Sequence, residues 1–292
     1  MSSIHIPVLA GEVKVLLNLK DGDKAIDATM GAGGHTRDML SSVGGSGRVL
    51  AIEQDSEMIK TLENVPQNLA IENANFRQID ELAERNGFAT ADAILFDLGI
   101  SRWHFIESGR GFTFGNSNEP LIMNLDKNSD VSAASILNSM DERGLAEMFT
   151  KLGEIRPDIA RKLAREIAET RKKRKFIKVG DLLAVVGKAA PKRGKSHEAT
   201  KIFQALRIKV NEELENLNIA QKKAFKTLSP GGRLAIISFH SLEDRIVKNY
   251  FRELSKNGKA VILTKKPVIA RREEILQNPS ARSAKLRAIE KI

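Results

Sequence analysis

Three acids and a glycine turn carry the chemistry that this chain suggests. Asp27 closes the apolar run Ala25-Ile26-Asp27, and Gly31, Gly33 and Gly34 follow before helix-forming residues resume. Glycine takes positive φ freely and leaves no Cβ in the way, so a ligand can lie directly on the backbone of such a turn. Twenty positions after Gly33, Glu53 ends a second apolar run, Arg48-Val-Leu-Ala-Ile-Glu53, where a carboxylate can accept both ribose hydroxyls of a nucleoside. The third acid, Asp97, ends Asp92-Ala-Ile-Leu-Phe-Asp97. Phe76 falls at the exit of Leu69-Ala-Ile71 and reads either as a flank for an adenine ring or as ordinary core.

The turn alone is also what a plain strand-to-helix bend would use. A dinucleotide site wants a further glycine three places after Gly33, and Thr36 stands there. The pattern Asp-x-x-x-Gly-x-Gly-Gly resembles instead the first motif of S-adenosylmethionine methyltransferases, in which the acid and the glycine backbone hold the amino-acid end of the cofactor.

Such residues need a scaffold that delivers them to one place. Apolar runs at 25–27, 48–53, 69–71 and 92–97 alternate with helical stretches, the spacing of a parallel sheet, whose ligands sit beyond the carboxyl ends of the strands. Asp27, Glu53, Phe76 and Asp97 are therefore expected on one edge. Residues 233–238 predict a fifth strand that carries His240 to the same edge, and Ser241 with Asp244 reads as a capping box for the next helix. Residues 260–264 and 283–290 would supply the last two strands. Ile202, Phe203, Leu206, Val210, Leu214 and Leu217 predict one long amphipathic helix whose region ends at Pro230-Gly-Gly232.

Between the two halves the period is helical. Leu145, Met148, Phe149 and Leu152, then Ile159, Leu163 and Ile167, recur at three- and four-residue steps, with Ser132, Asp141 and Asp181 as N-caps. Residues 103–200 thus read as an all-helical insertion, and 1–102 with 201–292 as the core that it interrupts. From Arg161 to Lys178 nine residues are basic and two acidic, in a chain with 47 Lys and Arg against 37 Asp and Glu. Charge so concentrated favours a polyanion as partner.

The chain has no cysteine, which excludes disulfides, thiolate metal sites and cysteine nucleophiles and is compatible with a reducing cytoplasm. Its five histidines, His5, His35, His104, His197 and His240, are scattered without ligand spacing, so no metal is expected. No apolar run approaches the ~20 residues of a membrane span. The start lacks the charged and apolar regions of a secretory signal, so a cytoplasmic protein is expected. Nothing in the sequence fixes an oligomeric state.

Further stretches sharpen the assignment: His5-Ile-Pro-Val-Leu9, Asp97-Leu-Gly-Ile-Ser101, Arg110-Gly-Phe-Thr-Phe114, Ile202-Phe-Gln-Ala-Leu-Arg207, Ser238-Phe-His-Ser-Leu-Glu-Asp-Arg245 and Asn278-Pro-Ser-Ala-Arg282. Together with the glycine turn they resemble the small-subunit (16S) ribosomal RNA cytosine-N4 methyltransferases of the MraW type. The resemblance implies an α/β fold, a class I S-adenosylmethionine-dependent methyltransferase with a Rossmann-like, mostly parallel seven-stranded sheet. It also implies that the inserted helical domain recognises substrate, namely small-subunit rRNA or the small ribosomal subunit. By resemblance Gly33, Gly34, His35, Glu53, Phe76 and Asp97 fall on the family's cofactor positions, beside Asp27 and Gly31 of the turn. His104 falls where the family usually has Gln, and Glu53 where it has Asp. The chain departs from the family at Arg102-Trp-His-Phe-Ile106, and at Ile122 and Asn124, where an acid and an arginine are missing.

A sulfonium methyl group is already activated, so alignment and exclusion of water are the protein's main tasks. A cytosine N4 amine is a poor nucleophile because its lone pair is delocalised into the ring. An acceptor for its N–H would localise that pair, and Asp97 is the candidate, while His240 is the candidate for contact with base or phosphate or else a structural hydrogen bonder. An RNA base must be presented unstacked. Arg171, Lys172, Lys173 and Arg174 of the insertion, and Arg245, Lys248, Arg282 and Arg287 nearer the expected site, are the candidate phosphate contacts.

Overall fold

The computed structural model describes residues 7–60, 62, 64–189 and 198–292; His5, Ile6 and His197 lie outside the described residues. The chain divides into two compact units, Met1–Gly99 with Leu214–Ile292, and Ile100–Glu213. The first unit begins with α1 (Ala10–Leu17), β1 (Lys24–Asp27), α2 (Gly34–Val43), β2 (Arg48–Glu53), α3 (Ser56–Lys60), β3 (Leu69–Asn73), α4 (Ile79–Arg85) and β4 (Ala91–Asp97). The second unit holds α5 (Arg102–Ile106), α6 (Ala133–Ser139), α7 (Glu142–Leu152), α8 (Pro157–Lys173), α9 (Val179–Ala189) and α10 (Glu198–Val210). The first then resumes with α11 (Glu213–Thr227), β5 (Leu228–Ser238), α12 (Ser241–Lys256), β6 (Ala260–Ile262), α13 (Arg272–Gln277) and β7 (Lys285–Lys291).

The strands form one seven-stranded sheet in the order β3-β2-β1-β4-β5-β7-β6. It is parallel except that β7 runs against β5 and β6. Strand order reverses between β1 and β4, and the carboxyl ends there form the crevice in which doubly wound sheets take ligands. The near-continuous apolar runs follow from burial on both faces. Ile26, Leu50, Ile94, Phe96, Leu234 and Ile236 face one core, and Ala25, Val49, Ala93, Leu95, Ala235 and Ile237 the other. Each large side chain buried contributes about 1.5–3 kcal/mol. A one-residue slip would turn each set toward the other core, so this alternation fixes the register that aligns the strand ends.

Two expectations about the second half change. The apolar period from 202 to 217 is carried by two helices, broken at Asn211-Glu212, where Glu212 has φ 49°. α10 packs on α7, α6 and α9, so the helical unit runs to residue 213 instead of ending near 200. Pro230-Gly231-Gly232 lies inside β5, where the pairing with β4 is irregular between Ala91 and Ala93; a strand bulge tolerates the missing N–H.

The helical unit closes around Phe149, Leu163, Ile167, Phe176, Leu182, Ile202 and Leu206. Ser132 and Asp141 cap α6 and α7 by accepting from the N–H groups of Ser135 and Gly144. Asp181 is not a cap: it lies within α9 and accepts from the preceding Ile177 and Lys178 N–H groups. The Arg110–Phe114 stretch is a fastening. The buried Arg110 guanidinium donates to the carbonyls of Asn124 and Leu125 at 3.0 and 3.4 Å. Gly111 has φ 73°, and a Cβ there would lie 2.4 Å from the Pro120 carbonyl oxygen, so only glycine fits. Asn211 donates to the Met123 carbonyl and accepts from the Leu125 N–H, pinning the same loop from the far end of the unit.

Among the described residues, no helix is long and apolar enough to cross a membrane.

Candidate active site at the carboxyl ends of the strands

β1 delivers Asp27 to the switch point, where it is fully buried and spanned by two threonines that the sequence reading missed. The Thr29 N–H donates to its Oδ1 at 3.1 Å and the Thr36 hydroxyl to its Oδ2 at 2.6 Å. Burial outweighs both bonds and pushes the carboxyl up to about 6. The chain then turns through Gly31 and Gly33, at φ 53° and 74°, and Gly33 becomes the N-cap of α2. A Cβ on Gly33 would meet Arg37 Nη1 and Leu62 Cδ2 at 3.2 Å, and one on Gly34 would press on Pro7.

Glu53, at the end of β2, accepts from the Gly31 N–H at 2.8 Å and from the Asp55 N–H at 2.8 Å. It is thereby tied to the glycine turn, and each oxygen keeps a second lone pair for a ligand hydroxyl. Burial first, and the charges of Asp55 and Asp27 after it, raise this carboxyl to about 7. Phe76 opens the short turn beyond β3 and meets Phe96 edge to face at 5.6 Å. Asn73 and Asn75 bind the Glu53 and Gln54 backbone and the Gln54 side chain, which joins the ends of β2 and β3.

Asp97 ends β4. Its N–H donates to Thr29 Oγ1 at 2.6 Å, and its Oδ2 lies 3.6 Å from Nε2 of the buried His35. The side chain keeps 24% of its surface open. Among the described residues its enclosed Oδ1 accepts no hydrogen bond. Burial, then the negative charges of Asp27 and Glu243, raise Asp97 to about 8. Asp27, Glu53, Phe76 and Asp97 thus lie at or just beyond the carboxyl ends of their strands, as the pattern of strand exits predicts, and Gly31, Gly33, Gly34 and His35 follow Asp27 in the turn into α2.

His240 arrives beyond β5, but the helix start is shifted by one residue from the Ser241–Asp244 box. His240 is the N-cap of α12, and its Nδ1 accepts from the Glu243 N–H at 3.4 Å while the Glu243 carboxylate accepts from the backbone. Asp244 is instead drawn to Arg287, which donates to its two oxygens at 2.6 and 3.2 Å. That overturns the expectation for Arg287: the guanidinium is buried in β7 and committed to Asp244, so it does not face RNA phosphates. Arg245 and Arg282 are exposed and Lys248 is half-buried.

The remaining predicted residues lie in the second unit. His104 is buried between Trp103 and Phe112, edge to face with each at 5.4 Å, with Nδ1 beside Ser101. Arg171 is also a correction, since it donates to the carbonyls of Leu137 and Met140 and so closes the end of α6. Lys172 pairs with Glu169 and Arg174 with Asp181 across exposed surface, and Lys173 is exposed.

A model of the MraW methylase family matches residues 2–292. A ribosomal RNA small subunit methyltransferase H from Dictyoglomus thermophilum is 42% identical over 295 residues, covering 100% of this chain and 98% of its own. One of the same description from Bacteroides fragilis is 36% identical over 302 residues, covering 99% and 98%. Among solved structures, an rRNA methylase from Streptococcus thermophilus covers 99% of both chains at 12% identity and a TM-score of 0.45, a likeness too slight to argue from.

Proposed function

Because the chain belongs to the MraW methylase family, we propose that it transfers a methyl group from S-adenosylmethionine to the N4 amine of a cytidine in small-subunit (16S) ribosomal RNA. The observation that carries this is the acid cluster at the switch point. Three largely buried carboxyls are each raised well above the usual range, and one buried oxygen of Asp97 has no hydrogen-bond donor among the described residues. Such a cluster is costly unless a cation or a set of donors completes it. S-adenosylmethionine fits, since it carries a sulfonium, an ammonium and two ribose hydroxyls, and when bound it supplies an already activated methyl group.

Glu53 would take the ribose hydroxyls, and Asp27 together with the Gly31–Gly34 backbone the amino-acid end. Phe76 would flank the adenine, with His35 set behind Asp97. The Asp97 carboxyl, whose side chain keeps 24% of its surface open, would accept an N–H of the target amine, so that the nitrogen lone pair turns from the ring toward the methyl carbon. The helical unit is the proposed substrate-recognition domain, with Lys172, Lys173 and Arg174, and Arg245, Lys248 and Arg282 of the first unit, as phosphate contacts. A cytoplasmic place of work follows from this substrate.

Calorimetry with S-adenosylmethionine, followed by methyl transfer to purified small subunits lacking the mark, tests the proposal. Binding followed by N4-methylcytidine in the rRNA is expected. Binding without transfer would point to an assembly factor with weakened catalysis. Transfer to another acceptor would point to a pocket redirected by the departures at 102–106 and at Ile122 and Asn124.

A further inference from the structure

We propose that Glu243 is a positioning residue for methyl transfer, clamping the turn beyond β5 and, with it, the His240 ring. The inference rests on the functional reading above and goes beyond it, since Glu243 would touch neither cofactor nor base. A glutamate at the third position of a helix ordinarily reaches back to the cap from the surface. Glu243 is only 2% exposed, a placement that glutamate adopts rarely and only when paired.

Its Oε2 accepts from the Phe239 N–H at 2.8 Å and the His240 N–H at 3.3 Å, and its Oε1 lies 3.2 Å from His240 Nε2. Nδ1 accepts from the Glu243 N–H, and Nε2, which makes no hydrogen bond among the described residues, lies against the Glu243 carboxylate, so one residue flanks both nitrogens of the His240 ring. The clamped turn braces the Asp97 exit. Asp97 is opposite Ile237 in the β4–β5 ladder, Leu98 donates to the Ile237 carbonyl, and the Phe239 ring packs where a side chain on Gly99 would begin. Asp97 is faced by Asp27 from β1, His35 from α2 and Glu243 from α12, while Glu243 itself is faced by His240 and by Glu213 at the start of α11, one ligand atom of each lying within 4.8 Å of the others. Removing the Glu243 charge therefore lets Asp97 ionise at lower pH, and the loss of kcat at unchanged cofactor affinity is what separates a positioning residue from a plain cap.

Glu243→Gln keeps an oxygen for the Phe239 N–H and removes the charge. S-adenosylmethionine binding is followed by calorimetry across neutral pH, and kcat and KM are measured on small subunits lacking the mark. The expected result is a kcat at least about tenfold lower, a cofactor KM within about threefold, and a binding midpoint about half a pH unit lower. An unmoved midpoint with kcat within about threefold would overturn the proposal and leave Glu243 a cap. Should that variant fail to fold, His240→Asn preserves the cap, because asparagine is a good N-cap residue, and deletes only the ring. It should lower kcat by about tenfold or more without changing cofactor affinity, and undiminished kcat would overturn the proposal. Wild-type protein that neither binds S-adenosylmethionine nor methylates would defeat the functional reading instead.

Discussion

The two units treat buried polar groups in opposite ways. In the helical unit most are bonded: Arg110 donates to two carbonyls, Asn211 ties Met123 and Leu125, and the half-buried Arg207 and Glu213 form a two-pronged ion pair at 2.8 and 3.0 Å, although Glu198 Oε2 finds no partner among the described residues. In the sheet unit the carboxyls of Asp27, Glu53 and Asp97 are all raised, chiefly by burial and, for Glu53 and Asp97, also by the charge of Asp27. Saturated polar groups specify a scaffold, whereas under-satisfied ones mark where the protein expects another molecule.

The sharpest way to break this contrast is a pair of glycine substitutions. Gly111→Ala forces a Cβ against the Pro120 carbonyl at φ 73° and should cost about 3 kcal/mol or more, read as loss of the helical unit in chemical denaturation. Among the described residues, Gly33→Leu at φ 74° meets the movable Arg37 and Leu62 side chains. It should cost about 1–2 kcal/mol through its left-handed φ, less than Gly111→Ala, while weakening S-adenosylmethionine by about a hundredfold or more, and retained affinity would mean that the cofactor is misassigned.

A second pair exchanges the roles. Asp97→Asn should lower kcat about a hundredfold and leave the melting temperature of the ligand-free protein unchanged or higher, since it removes a costly buried acid. Arg110→Met should do the reverse, costing about 2–3 kcal/mol by stranding the Asn124 and Leu125 carbonyls while sparing cofactor affinity.

The pH dependence follows from the same acids. Carboxyls at about 6, 7 and 8 hold protons that the unfolded chain, with carboxyls at about 4, has already released. Native protein then binds more protons than unfolded, so ligand-free stability is highest in mild acid. It falls as pH rises toward 8, by up to about 1.4 kcal/mol per pH unit per group. Cofactor affinity should rise over the same range, and thermal melts with and without S-adenosylmethionine at both ends check both signs.

The smallest effects belong to the exposed charges. Lys172→Ala should change stability by less than about 0.5 kcal/mol, because its pair with Glu169 is solvated. If it contacts RNA, the salt dependence of RNA binding should weaken by about one unit of slope.

The strand exits were legible because apolar runs that end in acids reflect a sheet buried on both faces, and this burial acts locally along each strand. Contacts across long separations were not. Arg287 read as a basic surface residue because its partner Asp244 lies 43 residues away on α12. The break at Asn211-Glu212 was hidden because the apolar period continues through it from one helix to the next. At the start of α12, serine has the better capping chemistry. Yet the helix begins at His240, where Glu243 can reach the Phe239 and His240 amides and Asp244 is free to meet Arg287. Thr29 and Thr36 are not legible because a threonine two or nine residues from an acid is common and means something only in three dimensions, where the Thr29 N–H and the Thr36 hydroxyl meet Asp27 and the Thr29 hydroxyl meets the Asp97 N–H.

That the sheet is assembled from two separate lengths of chain bears on how the protein is made. β4 is complete by residue 97, but its neighbour β5 spans Leu228–Ser238, so more than a third of the chain must be synthesised in between. Until then a strand apolar on both faces has an open edge, the kind that recruits other chains into aggregates. The helical unit, rich in local contacts, can meanwhile collapse on its own, and a nascent polypeptide halted within it would be the species most in need of a chaperone.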